Sequence, residues 1–171
     1  MLSKKVQDAF NKHMNMEMYS SYLYLSMSAY FDSISLEGMA QWMRIQAQEE
    51  MLHAMKFFDF ILERDGNVEL AAINKPKKSW KSTLDAFQEA YNHECKISGL
   101  INDLVDMSLK EKDHAANAFL QWFVTEQVEE EATVLTIVDK LKFIEKDKVA
   151  LFMMNEDLGS RVFTPPADSA Q

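Results

Sequence analysis

Residues 66–81, Gly66-Asn-Val-Glu-Leu-Ala-Ala-Ile-Asn-Lys-Pro-Lys-Lys-Ser-Trp-Lys81, decide the fold. With Gly66, Asn67, Asn74 and Pro76 among lysines, the stretch reads as a connection between helices, not as a helix. On its N-terminal side, Ser3 predicts the cap of a helix running to about Asp32, and Ser33-Ile34-Ser35 a short turn. A second helix follows from about Leu36 to Asp65, with Gly66 placed to take the left-handed conformation that ends a helix. On its C-terminal side, Ser82 opens a third helix to about Lys110, and Asp113 caps a fourth reaching about Ile144. Asp147 to Leu158 reads as a short fifth helix stopped by Gly159. The four long helices would each measure about 42–45 Å. The two short turns enforce antiparallel hairpins, whereas 16 residues between helices two and three could stretch roughly 50 Å. That is enough to cross the whole bundle and set the third helix parallel to the second.

Composition agrees with an all-α chain. Of 171 residues only 4 are Gly and 3 Pro, too few for the turns of a many-stranded β fold or for a Gly-rich phosphate cradle. β-Sandwich, P-loop and dinucleotide-binding folds are excluded on that ground. Hydrophobic residues make up 47%, which supports a packed core. With 18 Lys+Arg against 27 Asp+Glu, the formal charge of −9 repels nucleic acid and anionic membrane and attracts cations. A lone cysteine, Cys95, allows neither an internal disulfide nor a CxxC metal knuckle, as expected in a reducing compartment. No leader-like apolar run opens the chain and no stretch is apolar enough to span a bilayer, so the expected location is the cytoplasm.

The helices read at 4-3 spacing place acids on apolar seams. Glu17 interrupts the stripe Val6, Phe10, His13, Ser20, Tyr24, Met27 and Phe31. Glu50 and His53 interrupt Met39, Met43, Gln46, Phe57 and Phe60, and Glu94 interrupts Phe87, Tyr91, Ser98 and Ile101. Glu126 and Glu130 interrupt Phe119, Phe123, Val134 and Ile137. The interruptions share a depth: Glu17 and Glu50 lie about 16–17 residues either side of the first turn, and Glu94 and the Gln127–Glu130 turn about 17 residues either side of the second. At 1.5 Å per residue all sit some 25 Å from their turns, near mid-bundle. No seam position beside them is Lys or Arg. Bare carboxylates converging in apolar surroundings would each cost several kcal/mol in desolvation and would repel one another, so they either protonate or hold cations. Four carboxylates cancel the charge of two divalent ions, which favours the cations. Carboxylates with one imidazole suit iron, manganese or zinc, and carboxylates able to bridge ions about 3.5–4 Å apart favour a dinuclear centre. Tyr24, two turns from Glu17, could bond a ligand carboxylate, be oxidised, or simply fill the core.

These residues resemble a known centre. Glu17, then Glu50-Met-Leu-His53, then Glu94, then Glu126-Gln127-Val-Glu129-Glu130 look like the ferroxidase centre of prokaryotic-type non-haem ferritins. Local sequence agrees in Tyr22-Leu-Tyr-Leu-Ser-Met, Gln48-Glu-Glu-Met-Leu-His-Ala54 and Phe119-Leu-Gln-Trp-Phe-Val-Thr-Glu-Gln-Val-Glu-Glu-Glu131, and the match spans essentially the whole chain. The resemblance implies an all-α, ferritin-like four-helix bundle with one long crossover and a short C-terminal fifth helix. It implies a single domain over 1–163 and a loose tail over 164–171. Glu17, Glu50 and His53 would hold a first iron, with Glu50 bridging, and Glu94 and Glu130 would complete a second. Gln127 would help to position dioxygen or a bound water. Glu49, Glu126 and Glu129, with Glu130 shared, resemble the third iron site of prokaryotic ferritins. For Glu129, off the seam, a solvated acidic face is the plain alternative. The implied reaction oxidises two Fe(II) with dioxygen or hydrogen peroxide and passes Fe(III) to a mineral inside a homo-oligomeric shell, in that family usually of about 24 subunits.

Departures from neighbouring families narrow the reading. Gln127-x-x-Glu130 stands where bacterioferritins and rubrerythrins place a second Glu-x-x-His, and one cysteine cannot supply rubrerythrin's four-cysteine iron domain. Met51 falls where bacterioferritins carry a haem-ligand methionine, but no haem is expected, and Met51 is assigned to packing against another helix or subunit. His93, Cys95 and His114 lie off the seams and are assigned to surface or interface positions. Two other functions fit the same seam: a di-iron oxygenase or peroxidase, and a non-catalytic metal-binding bundle. The off-seam Met, Phe and Trp residues and the apolar fifth helix point to a closed homo-oligomer.

Overall fold

In the computed structural model, which describes residues 2–144 and 146–164, every helix but α2, which follows Leu36, begins at a residue whose side chain caps it. Helix α1 spans Lys4–Ser33, and Ser3 Oγ accepts the Val6 amide at 3.3 Å. Helix α2 spans Glu37–Glu63, α3 Thr83–Lys110, α4 His114–Ile144 and α5 Lys148–Gly159. Ser82 caps α3 by accepting the Asp85 amide at 3.1 Å, Asp113 caps α4 through the Ala116 amide at 3.0 Å, and Asp147 caps α5. The seventh and eighth residues of the tail expected over 164–171, like those before them from 165 onward, lie outside the described residues.

Two glycines differ from expectation. The left-handed residue ending α2 is Asp65, with φ of 58°, not Gly66. Gly66 is needed for space instead: its amide bonds Ile61 O at 2.9 Å, and a Cβ on it would lie 2.9 Å from that same oxygen. Gly159 does not stop α5 but lies against Gly38 at the start of α2, and the cap falls on Ser160.

The long connection runs the full length of α1. Gln7 Oε1 accepts the Asn67 amide, Asn11 bonds both Asn67 O and the Glu69 amide, Asn15 donates to Ala71 O, and Ser26 donates to Lys77 O. Trp80 then packs on Tyr30 near the far end of α1, with ring centroids 5.2 Å apart. A ladder of α1 side chains thus lays the connection from one end of the bundle to the other and makes α3 parallel to α2, as its length predicts. The turn between α3 and α4 closes against the end of α2, where Arg64 makes two hydrogen bonds to Asp113 at 3.0 and 3.1 Å.

Packing divides the interior into two apolar clusters. One, around Phe31, Met39, Trp42 and Phe87, lies toward the α1–α2 turn, and the other, around Phe10, Phe57, Ile101 and Phe123, toward the α3–α4 turn. Between them lies a buried polar layer contributed by all four long helices, comprising Glu17, Ser20, Gln46, Glu50, His53, His93, Glu94, Gln127 and Glu130. Helix α5 crosses the start of α2, where buried Asn155 accepts the Met39 amide on Oδ1 at 3.0 Å. Among the described residues no helix is long and apolar enough to cross a membrane.

Candidate metal centre

The polar layer is built from one acid per helix. Glu17 (α1), Glu50 (α2), Glu94 (α3) and Glu130 (α4) are 1%, 1%, 0% and 7% exposed, and none forms an ion pair with Lys or Arg among the described residues. Ligand-type atoms of Glu17, Glu50 and His53 lie within 4.8 Å of one another, and those of His53, Glu126 and Glu130 do likewise. His53 therefore belongs to both groups, with its Nδ1 3.6 Å from Glu50 Oε2. Glu94 joins neither. Its carboxylate accepts the Tyr24 hydroxyl on one oxygen and the Gln127 amide on the other, at 3.2 Å. Tyr24 is thus the partner of a seam carboxylate, one of the roles anticipated for it.

Supporting residues hold the acids in place. His13 Nε2 donates to Glu17 Oε1 at 2.7 Å. Gln46 Nε2 donates to Glu50 Oε1 at 3.1 Å and to Glu130 Oε2 at 2.7 Å, so one amide joins the acids of α2 and α4. Glu17 Oε2 is buried and has no hydrogen-bond partner. A buried anionic oxygen without a donor is costly, and a cation is the natural partner for it. Oxygen-rich donors with a single imidazole match the chemistry of iron, manganese or zinc.

Of the outer acids, Glu126 reaches the His53–Glu130 group, whereas Glu129 is exposed and belongs to neither group. Glu49 is held by Arg161, with Nη2 2.6 Å from Oε2. The absence of a basic residue near the acids, true of the seams, therefore fails for the layer's edge: Arg161 arrives from beyond α5, 112 positions along the chain. His93 also departs from expectation. It is buried and paired with Ser20 Oγ at 2.7 Å, because the buried face of α3 extends beyond the seam to Ala86, Ala90 and Ile97. Cys95 is half-buried and His114 exposed. Met51, expected to pack on another helix or subunit, is 41% exposed on this chain.

Electrostatics follow from burial. Burial, reinforced by the Glu50 charge, pushes Glu94 up to about 8, and burial with Glu94 nearby does the same to Glu130. Burial and the charges of Glu17 and Glu130 raise Glu50 well above the ordinary value of 4.5. Burial pushes Glu17 upward most strongly of any single influence, but His13, His53 and a hydrogen bond with Glu50 together outweigh it and hold that carboxyl below 4.5. Burial also raises the Tyr24 phenol well above its ordinary 10.0, so it stays a hydrogen-bond donor.

Between pH 6.5 and 8 the metal-free folded chain thus binds more protons than the unfolded one, and stability must fall as pH rises. Burial lowers His93 from 6.5 to about 4, which opposes folding only below 6.5 and leaves that window clear. Thermal melting of the metal-free protein is expected to drop across pH 6.5–8 and a divalent cation to cancel the drop; a flat profile would contradict protonated carboxyls in the layer.

Comparison with known proteins gives a consistent assignment. The Ferritin-like domain family model matches residues 7–144. A bacterial non-heme ferritin of Bacteroides fragilis is 43% identical over 161 residues, covering 94% of this chain and 100% of that protein. A bacterial non-heme ferritin of Campylobacter jejuni is 42% identical over 156 residues, covering 91% and 93%. The crystal structure of an open pore ferritin from the archaeon Archaeoglobus fulgidus superposes with a TM-score of 0.94 at 51% identity, covering 95% of this chain and 100% of that one. With its crossover bundle, its short fifth helix and its buried acid layer, the chain belongs to the ferritin family.

Proposed function

We propose that the protein stores iron, oxidising Fe(II) at the mid-bundle acid layer and depositing Fe(III) in the hollow of a closed homo-oligomer. The observation that carries this reading is one buried layer of four carboxylates, unpaired with Lys or Arg among the described residues, three of them grouped with His53, together with an oxygen of Glu17 that has no donor. Glu17, Glu50 and His53 take one Fe(II), and Glu94 and Glu130 take a second beside it. Each iron gives one electron to dioxygen, which takes up two protons and leaves as hydrogen peroxide; peroxide as oxidant is reduced to water by the same two electrons. Anionic oxygen donors stabilise the higher charge of Fe(III) and so favour the oxidation.

This chain's residues have separable parts. Gln46 keeps Glu50 and Glu130 at a shared donor. Tyr24 holds Glu94, and His13 holds Glu17. Gln127 bonds Glu94 and also lines a groove of about 360 Å³ between α3 and α4, whose walls include Ser98 and Glu131 and whose volume suits dioxygen or water. Glu126, Glu129 and Glu49 form an outer cation site for iron in transit, Glu126 being the member nearest the centre.

Exposed apolar side chains support the shell. Val149, Phe152 and Met153 on α5 are 69%, 62% and 66% exposed, and Tyr22, Leu25, Met51 and Met55 form a second patch on α1 and α2. Surfaces of this kind are covered by neighbouring copies. Aerobic Fe(II) addition followed by native sizing with iron detection tests the proposal. Iron is expected to travel with a particle of about 24 chains; iron left at low mass, or a chain that sediments as a monomer, would overturn it.

A further inference from the structure

We propose that Arg161 is a built-in counter-cation that occupies Glu49 when no metal does and surrenders it only in exchange for a divalent ion, so that filling the outer cation site undocks the segment following α5. The inference rests on the reading of Glu49 as an outer-site ligand.

The seat of Arg161 is specific. Trp42, Gln46 and Glu49 lie on one stripe of α2, and all three engage the guanidinium. Nη2 donates to Glu49 Oε2 at 2.6 Å and Nη1 to Gln46 Oε1 at 3.0 Å, while the guanidinium carbon stands 4.8 Å from the Trp42 ring centroid. A planar fork that bonds two acceptors and stacks on an indole is suited to Arg and not to Lys. The Arg161 and Glu49 side chains are 25% and 17% exposed, so their attraction is only partly screened.

The position of the pair makes it a competitor. Glu49 lies one helical turn before His53 on α2, and His53 shares the outer group with Glu126 and Glu130. A divalent ion bound by Glu126 and Glu130 would draw Glu49 and repel the guanidinium, so the two cations compete for the one carboxylate. Gln46 supplies a second connection. With Oε1 accepting from Arg161, its Nε2 is the end turned to Glu50 and Glu130. Glu50 and Glu130 hold that Nε2 end themselves, so the inner amide keeps its orientation when the guanidinium leaves. Arg161 lies two residues beyond α5, which itself rests on the start of α2, so its release loosens a segment tied to the fifth helix.

The test is anaerobic Fe(II) titration of the assembled protein by calorimetry, comparing the parent with R161Q, R161K and R161Q/E49Q. Removing the competitor is expected to tighten the weakest class of sites about tenfold in R161Q, a common size for coupling between sites, while the tight pair stays near parental affinity. E49Q should cancel that gain. R161K keeps the charge but loses the fork, and a smaller tightening is expected there, which decides the matter should R161Q not assemble. A third class of sites whose affinity is the same in the parent and both Arg161 variants would overturn the competition alone. A gain that survives in R161Q/E49Q would also overturn it, because the effect would not act through Glu49. Titrations ending at two cations per chain in every variant would overturn both the competition and the outer-site reading.

Discussion

Replacing Glu50 with Ala is expected to remove rapid Fe(II) oxidation, lowering the initial rate by about 100-fold or more, while leaving the bundle folded. Glu50 is buried, shares a group with Glu17 and His53, and is tied through Gln46 to Glu130. The fold should tolerate the loss because Glu50 is a liability in the metal-free chain, where burial and two neighbouring acids oppose its ionisation. Taking it away removes repulsion along with a ligand, so metal-free stability should change by no more than about 1–2 kcal/mol, the lost packing and the relieved repulsion offsetting each other. Stopped-flow oxidation alongside thermal melting separates the two effects. A variant that oxidises its first iron at the parental rate would remove Glu50 from the proposed centre.

The second large effect is expected at Gly38. A Cβ there would lie 1.8 Å from Asn155 O and 2.7 Å from its carbonyl carbon, both backbone atoms that cannot rotate aside. Gly38→Ala must therefore push α5 off α2, breaking the bond between the Met39 amide and Asn155 and displacing the exposed apolar face of α5, which the proposed shell would cover. The cost should be about 3 kcal/mol, the upper end for overpacking, with the loss of high-mass assembly as the clearest readout. Gly99→Ala is the matched control. It lies in α3 with nothing within 4 Å of the added methyl, so it should stabilise the helix by about 0.5–1 kcal/mol. Sedimentation and melting of both variants check this; a Gly38→Ala protein that assembles and melts like the parent would refute the docking of α5.

Particular residues explain what was legible in the sequence. The caps Ser3, Ser82, Asp113 and Asp147 were readable because each is a local event, one side-chain oxygen facing an amide two or three residues ahead. The crossover was readable from length alone, although the polar ladder of Gln7, Asn11, Asn15 and Ser26 that fastens it was not. The acid layer was readable because equal distances from two turns impose equal depth. Periodicity defines a stripe but not how widely a helix is buried on either side, and His93 was lost in that gap. Arg161 gave no local signal at all: its partners lie more than a hundred positions away, and only the docking of α5 brings them together. Gln46 was visible as a seam residue, but its link between two acids required knowing which way its amide turns.

The strap along α1 is the covalent link between two helical hairpins, and the acids are divided between them. Glu17, Glu50 and His53 belong to α1 and α2, and Glu94 and Glu130 to α3 and α4. Either hairpin alone carries half of the proposed site, so a cation held by all of these groups would also be a rivet through the seam between the halves. The strap's length sets how far the halves can drift before they meet, and its ladder onto α1 keeps the second half's starting point from wandering. Under the proposed function cargo and scaffold would not be independent: an ion bound by both hairpins would add its own clamp to the mid-bundle bonds Tyr24–Glu94, Gln46–Glu130 and Ser20–His93 that already join them.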